Sequence, residues 1–279
     1  MANVPTKVYD RLSSGIKKFQ PILNTAKSRD VNESDTVIII TDMLSEVFGY
    51  NKYSEITSEF TVRSTYCDLA IKIDGKLAFL LEVKAIGLEL KENYVKQVVD
   101  YAANQGIDFV VLTNGVIWKV YKITFTKPID QELVFEFDFL NLNNKNSDDV
   151  EKLSLLSKEG WLKSFLYEYH SQKQALSKFF LSAIILSDPI TDLIRKELRK
   201  ISPDVKVTSE QIQEVIFKEV LKREVIEGEK AEEARKKMNK VFNKISKTKI
   251  AKQSSTEIVD EKSEKEIIDD KNVTPNTVG

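Results

Sequence analysis

Two carboxylates and one amine, Asp68, Glu82 and Lys84, interrupt a stretch built otherwise from apolar strand formers, Tyr66 to Lys84. A carboxylate in so apolar a strand is costly unless it is paired or bound to a cation. Two carboxylates held side by side repel one another, and a divalent cation removes that repulsion. Oxygen donors of this kind suit Mg²⁺, Mn²⁺ or Ca²⁺. The plainer alternative is a strand edge on which Glu82 and Lys84 form a solvated ion pair. Which of the two holds depends on whether the backbone gathers the three side chains on one face.

Both halves of the stretch alternate with period two, as half-buried strands do. Leu69, Ile71 and Ile73 share one face of the first half, and Asp68, Ala70 and Lys72 the other. Leu77, Phe79, Leu81 and Val83 share one face of the second half, and Ala78, Leu80, Glu82 and Lys84 the other. Asp74-Gly75 marks the turn between them. A plain two-residue turn sets Ile73 opposite Lys76, which throws the two apolar rows onto opposite sides of the sheet. Matching the rows requires an odd-length loop, most simply a type I turn with Gly75 as the left-handed bulge residue. That register puts Asp68, Glu82 and Lys84 on one face.

The rest of the chain supplies the supports. Its 279 residues carry 42 Lys and Arg against 43 Asp and Glu, a formal charge of −1, so an anionic partner has to be met by a local patch. The single cysteine, Cys67, and the single histidine, His170, exclude a disulfide framework, a Cys/His zinc cluster and a Ser-His-Asp triad. His170 is expected to be a surface or helix-packing residue. With no signal peptide and no long apolar run, the expected location is the cytoplasm, with no membrane partner.

In chain order, Val8, Leu12, Ile16 and Phe19 predict a helix that Pro21 ends or bends, forming an N-terminal helical arm over 1–29. Asn32-Glu33-Ser34-Asp35 opens a second helix with Val37, Ile40, Leu44 and Val47 as its buried stripe and Gly49 after its end. Glu33 either turns inward toward the sheet or only supports the helix end. A strand over 55–62 precedes the hairpin. A helix over 90–104 follows, stopped by Gly106, with Val95, Val98, Val99 and Ala102 toward the core and Gln97 beside Tyr101. A fully apolar strand over 108–113, an Asn114-Gly115 hairpin turn and a strand over 116–123 come next, with Trp118 and Tyr121 as core aromatics. Residues 133–139 alternate as an edge strand. After a polar loop over 141–149 come helices over 150–156, 161–170, 174–186, 190–200 and 210–225, punctuated by Pro189 and Pro203. Thr208 and Gln211 have the spacing of a capping box. Residues 229–253 form a lysine-rich helix nearly without a core face, either solvated or gripping nucleic-acid phosphates, and 254–279 an acidic disordered tail.

The order helix, three strands, helix, strand, with the charges on the second and third strands, resembles the PD-(D/E)xK nuclease superfamily. Within it the chain resembles the N-terminal nuclease domain of the R subunit of type I restriction enzymes. The residues that carry the resemblance are Asn32-Glu33, Glu59, Asp68, Glu82-Val83-Lys84, Gln97 with Tyr101, and Leu112-Thr113-Asn114-Gly115 followed by Trp118 and Tyr121, roughly residues 30–123. Cys67 stands where the superfamily name has Pro, and the chain holds no Gly-x-x-x-x-Gly-Lys-Ser/Thr loop, so ATP-driven translocation is not among its expected activities. The resemblance implies an α/β, restriction-endonuclease-like αβββαβ core with a mixed central sheet over 30–145, then a mostly helical region over 148–228. It implies a Mg²⁺-dependent endonuclease, with Mn²⁺ as a substitute metal, that hydrolyses DNA in restriction or defence against foreign DNA; RNA is the other candidate substrate. Carried over residue by residue, it implies that Asp68 and Glu82 hold the metal with the Val83 carbonyl as a third ligand. Lys84 orients the attacking water and offsets charge on the transition state, Gln97 supports that lysine or a phosphate, Tyr101 supports Gln97 or packs, and Glu33 completes the acidic cluster through water. The alternative is a catalytically inactive nuclease fold acting as a nucleic-acid or protein interaction module, with the helical C-terminal region meeting a partner protein or a second copy.

Overall fold

The computed structural model describes residues 4–62, 65–125 and 128–240. Among them the first elements are α1 (Thr6–Ser28), α2 (Glu33–Glu46), β1 (Ile56–Val62), β2 (Thr65–Ile73), β3 (Lys76–Val83), α3 (Asn93–Asn104), β4 (Phe109–Thr113), β5 (Ile117–Thr124) and β6 (Asp130–Asp138). Then come α4 (Ser147–Ser154), α5 (Lys158–Leu162), α6 (Phe165–Ala175), α7 (Lys178–Ile185), α8 (Asp188–Ile201), α9 (Ser209–Val215), a π-helical turn (Ile216–Val220) and α10 (Arg223–Ile226). Residues 229–240 are helical. The expected lysine-rich helix beyond 240 and the acidic tail over 254–279 lie outside the described residues. The chain divides into two compact units, Met1–His170 and Ser171–Gly279. Among the described residues no helix is long and apolar enough to cross a membrane.

The first unit has the expected α/β architecture. From α2 to β4 the elements run αβββαβ, and β5 and β6 extend one sheet of strand order β1-β2-β3-β4-β5-β6. The β3–β4 pair is parallel and the others are antiparallel. A parallel pair needs a crossover, and α3 supplies it. Leu69, Ile71, Phe79, Leu81 and Val83 pack on one side with Leu12 and Ile16 of α1 and Ile40 and Leu44 of α2. Ala70, Leu80, Val110 and Leu112 pack on the other with Val95, Val98, Val99 and Ala102 of α3. Every residue of β4 is buried, as a strand covered on both faces must be.

The hairpin reaches the expected match of apolar rows by a different route. Ile73 pairs with Lys76 across a tight two-residue turn, with positive φ at Asp74 (51°) and Gly75 (76°), the primed geometry that suits twisted strands. The extra residue sits inside β3. Lys72 pairs with Leu77 and Ile71 with Phe79, so Ala78 is the unpaired residue of a β-bulge. Beyond it Leu69 faces Leu81 and Ala70 faces Leu80, odd with odd and even with even. The bulge also exchanges two side chains relative to the sequence expectation: Leu77 packs with the α3 side and Ala78 with the α1/α2 side.

Several helix boundaries differ from the sequence expectation. Pro21 lies inside α1 and does not end it. Leu23 and Ala26 continue the buried row of Val8, Leu12, Ile16 and Phe19, and their burial outweighs the one backbone hydrogen bond that proline removes. Helix α3 starts at Asn93 and not at Leu90, whose carbonyl accepts the Lys119 ammonium at 3.1 Å. The helix expected over 161–170 is two, α5 and α6, with Ser164 at φ 60° between them. His170 is buried and its Nε2 lies 3.1 Å from Glu132 of β6. In the second unit the helix expected over 210–225 breaks after the π turn at Leu221, which is extended, while the Thr208/Gln211 capping box is present. The lysine-rich helix does have a core face: Ala231, Ala234 and Met238 are buried, the last two clustered with Ala183 of α7 and flanked by Phe179, Phe180 and Ile184. Two of the three buried residues over 229–240 are alanines, which is why hydropathy alone hides the stripe.

A chain lacking Ala78 cannot keep both the tight turn and the matched apolar rows. Its melting temperature is expected to fall by at least about 10 °C or its unfolding to lose cooperativity, whereas Ala78→Ser, which keeps the extra residue, should melt within about 2 °C of the parent. Circular dichroism melts of the two variants measure this.

Candidate active site

The parallel strands β3 and β4 end side by side at Val83 and Thr113, and the Lys84 N–H donates to the Thr113 carbonyl at 2.9 Å. Crevices at the carboxyl ends of parallel strands are where open α/β sheets bind ligands. The register Leu69–Leu81, carried one residue further, sets Asp68 beside Glu82. Asp68 Oδ2 accepts the Val83 N–H at 2.6 Å, which fixes its carboxyl against the end of β3. The Lys84 ammonium donates to Glu82 Oε1 at 2.8 Å and to Glu33 Oε2 at 3.5 Å. Asn32 caps α2 by accepting the Asp35 N–H, so Glu33 stands in the first helical turn and reaches inward to the lysine. Asp68, Glu82, Lys84 and Glu33 are thus brought together from three elements.

Tyr101 is buried on α3 in the same cluster as Cys67. Gln97 lies on α3 one turn before it; the Gln97 side chain, on which its expected role rests, and the Glu59 side chain lie outside what the structure describes. Trp118 and Tyr121 are core residues, as expected.

The electrostatics follow from burial. Burial pushes the Asp68 carboxyl above its ordinary range, although the Val83 N–H and Lys84 pull the other way. Burial likewise raises Glu82, the Lys84 hydrogen bond lowers it and repulsion from Asp68 raises it further. For Lys84 burial works to lower the pKa, but the bond to Glu82 and the charges of Glu82, Glu33 and Asp68 carry it above the usual lysine value. The lysine is therefore an ammonium throughout the neutral range, and it does not fully offset the two acids. Burial and the neighbouring Asp68 and Glu82 push the Cys67 thiol up to about 12, so it is not a nucleophile.

A destabilised pair of hard oxygen donors fits a magnesium-type cation, which is commonly held by one or two carboxylates with the remaining positions left to water and substrate. Among the described residues no set of three or more His, Cys, Asp or Glu side chains could hold a metal ion. The solvated-edge alternative does not describe Glu82, which is buried.

Asn114, expected as part of a hairpin turn and of the motif that carries the resemblance, also supports the site. Asn114 is buried and uses both ends of its amide. Its Nδ2 donates to the carbonyls of Ile86 (3.3 Å) and Leu88 (2.9 Å), and its Oδ1 accepts the N–H groups of Val116 (3.1 Å) and Ile117 (2.7 Å). The segment that leaves Lys84 is thereby pinned to the β4–β5 hairpin. A buried amide with paired donors and acceptors has no isosteric substitute, since a carboxylate cannot donate.

Two outcomes follow. Asn114→Asp sets a buried carboxylate against two carbonyls and should cost about 2–3 kcal/mol, read as a melting temperature lowered by about 5–10 °C. Asp68→Asn keeps an acceptor for the Val83 N–H and removes a charge. Because the folded-state pKa of Asp68 is raised, the stability its protonated form contributes is fully present below the unfolded value, near 3.9, and is lost as pH rises through the folded value. In chelator the Asn variant should melt about 2 °C above the parent at pH 8, with the difference closing toward pH 4; a difference independent of pH would contradict this.

No curated protein and no solved structure matches the chain. Residues 39–134, which span Asp68, Glu82, Lys84 and Asn114 and leave Glu33 outside, match the family model of the Type I restriction enzyme R protein N terminus (HSDR_N).

Proposed function

We propose that this chain is a Mg²⁺-dependent endonuclease that hydrolyses DNA phosphodiester bonds, in restriction or defence against foreign DNA. The observation that carries the reading is the meeting of Asp68 and Glu82, half-buried and buried on neighbouring strands, with the Lys84 ammonium 2.8 Å from Glu82. The match to a restriction-enzyme family over 39–134 supports it and favours DNA over RNA.

In this reading Asp68 and Glu82 hold the cation, Mg²⁺ or Mn²⁺, with the Val83 carbonyl as a further donor. When bound, such an ion polarises a phosphoryl oxygen and makes hydroxide available at neutral pH. The chain's own groups do the rest. Lys84, kept protonated by its carboxylate neighbours, orients the attacking water and offsets the charge that gathers on the phosphate. Glu33, on the more exposed side of the lysine, limits where the ammonium swings. Gln97 supports the lysine or a phosphate, and Tyr101 backs it from within the α3 core.

A second reading, a catalytically inactive nuclease fold acting as an interaction module, is favoured by a different observation. In the second unit α8 exposes Leu193, Leu198 and Ile201, and Val215, Phe217 and Val220 follow on α9 and its π turn. Such a surface suits a protein partner or self-association.

Plasmid DNA incubated with Mg²⁺ should be cut, and Glu82→Ala and Lys84→Ala should each slow cutting by at least about 100-fold. Cleavage unchanged by both substitutions would refute the nuclease reading. Absence of Mg²⁺ and Mn²⁺ binding in calorimetry would put the interaction module ahead of it.

A further inference from the structure

Lys84 has a neighbour that is no part of the acidic cluster. Its Nζ lies over the ring of Tyr94, 5.7 Å from the centroid. Tyr94 is in the first turn of α3, half-buried against the core on that side of the sheet. It precedes Tyr101 by seven residues, two helical turns, which puts these two on one face.

We propose, on the basis of the nuclease reading, that Tyr94 is a positioning residue for Lys84. A lysine ammonium is a compact charge on a flexible four-carbon stem, and its usefulness beside a reacting phosphate depends on where it is held. Its partners in the structure are Glu82 at 2.8 Å, Glu33 at 3.5 Å and the Tyr94 ring. Glu82 is also one of the two oxygen donors assigned to the cation, so its oxygens are shared between two positive charges. The ring face attracts an ammonium through its quadrupole and does not compete for a hard cation. It therefore holds Lys84 at the site when the hold of Glu82 is divided. The phenol hydroxyl has no part in this, so phenylalanine should serve and leucine, close in bulk but without the quadrupole, should not.

The test uses the full chain with Tyr94→Phe and Tyr94→Leu. Cleavage of plasmid DNA at saturating Mg²⁺ should stay within about two-fold for Tyr94→Phe and fall about ten-fold in kcat for Tyr94→Leu, with KM unchanged, the size of a partly desolvated cation–π contact. In parallel, ¹³C-lysine NMR should show the Lys84 ε-methylene shifted upfield by the ring in the parent and in Tyr94→Phe, with and without Mg²⁺, and returned to the ordinary position in Tyr94→Leu. The proposal is overturned if Tyr94→Leu cuts at the parent rate, if Tyr94→Phe loses as much as Tyr94→Leu, or if the Lys84 signal does not move in Tyr94→Leu. A parent protein that binds Mg²⁺ but cuts nothing would remove the nuclease reading, and the NMR arm would still decide whether the ring holds the lysine.

Discussion

Two carboxylates side by side in an apolar sheet, Glu82 buried and Asp68 half-buried, set the terms for everything near them. Asp68 and Glu82 are both held above the ordinary carboxylate range by desolvation; Asp68 and Glu33 raise Glu82 further, Glu33 raises Asp68, and Lys84 does not fully compensate either. A fold selected only for stability would place leucine or valine there, since an apolar pair of similar volume costs nothing to bury. The surrounding structure bears the cost: β4 buried end to end, α3 packed across one face, and α1 with α2 across the other. Local instability of this kind concentrates where a site must bind or react.

The arrangement depends on backbone details that carry no charge. The bulge at Ala78 converts a tight Asp74-Gly75 turn into a register that matches the apolar rows, and the same conversion puts Asp68 beside Glu82. The Asn114 amide ties the chain beyond Lys84 to the β4–β5 hairpin, and the Lys84 N–H ties its own backbone to Thr113. Lys84 is consequently fixed at its backbone on both sides, while its ammonium is shared among Glu82, Glu33 and the Tyr94 ring. Rigid backbone and shared side-chain contacts are the combination expected of a group that must be available to more than one partner.

Much of this was legible in the chain because period-two alternation is a strong local signal. Leu69, Ile71, Phe79 and Leu81 had to lie on one face, and that requirement alone brought two acids and an amine together. The caps and breakers were equally local: Asn32 before α2, Gly106 after α3, Thr208 with Gln211 at α9. Signals that depend on packing were misread. Pro21 stays inside a helix because the buried row continues past it, Ser164 splits what looks like one helix, and alanines conceal the core face of residues 229–240.

The amino-acid order by itself determined the αβββαβ order of the core, the faces of the hairpin residues outside the bulge and the identity of the charged trio, since each rests on spacing along one chain. Only the tertiary structure decided where the extra hairpin residue sits, that Glu33 turns inward to Lys84, and that Asn114 and Tyr94 belong to the site. Two of those relations, Tyr94 with Lys84 and Glu33 with Lys84, join residues 10 and 51 positions apart. They exist only once the sheet has closed, because a hydrogen bond or a ring contact across elements leaves no periodic trace in the chain.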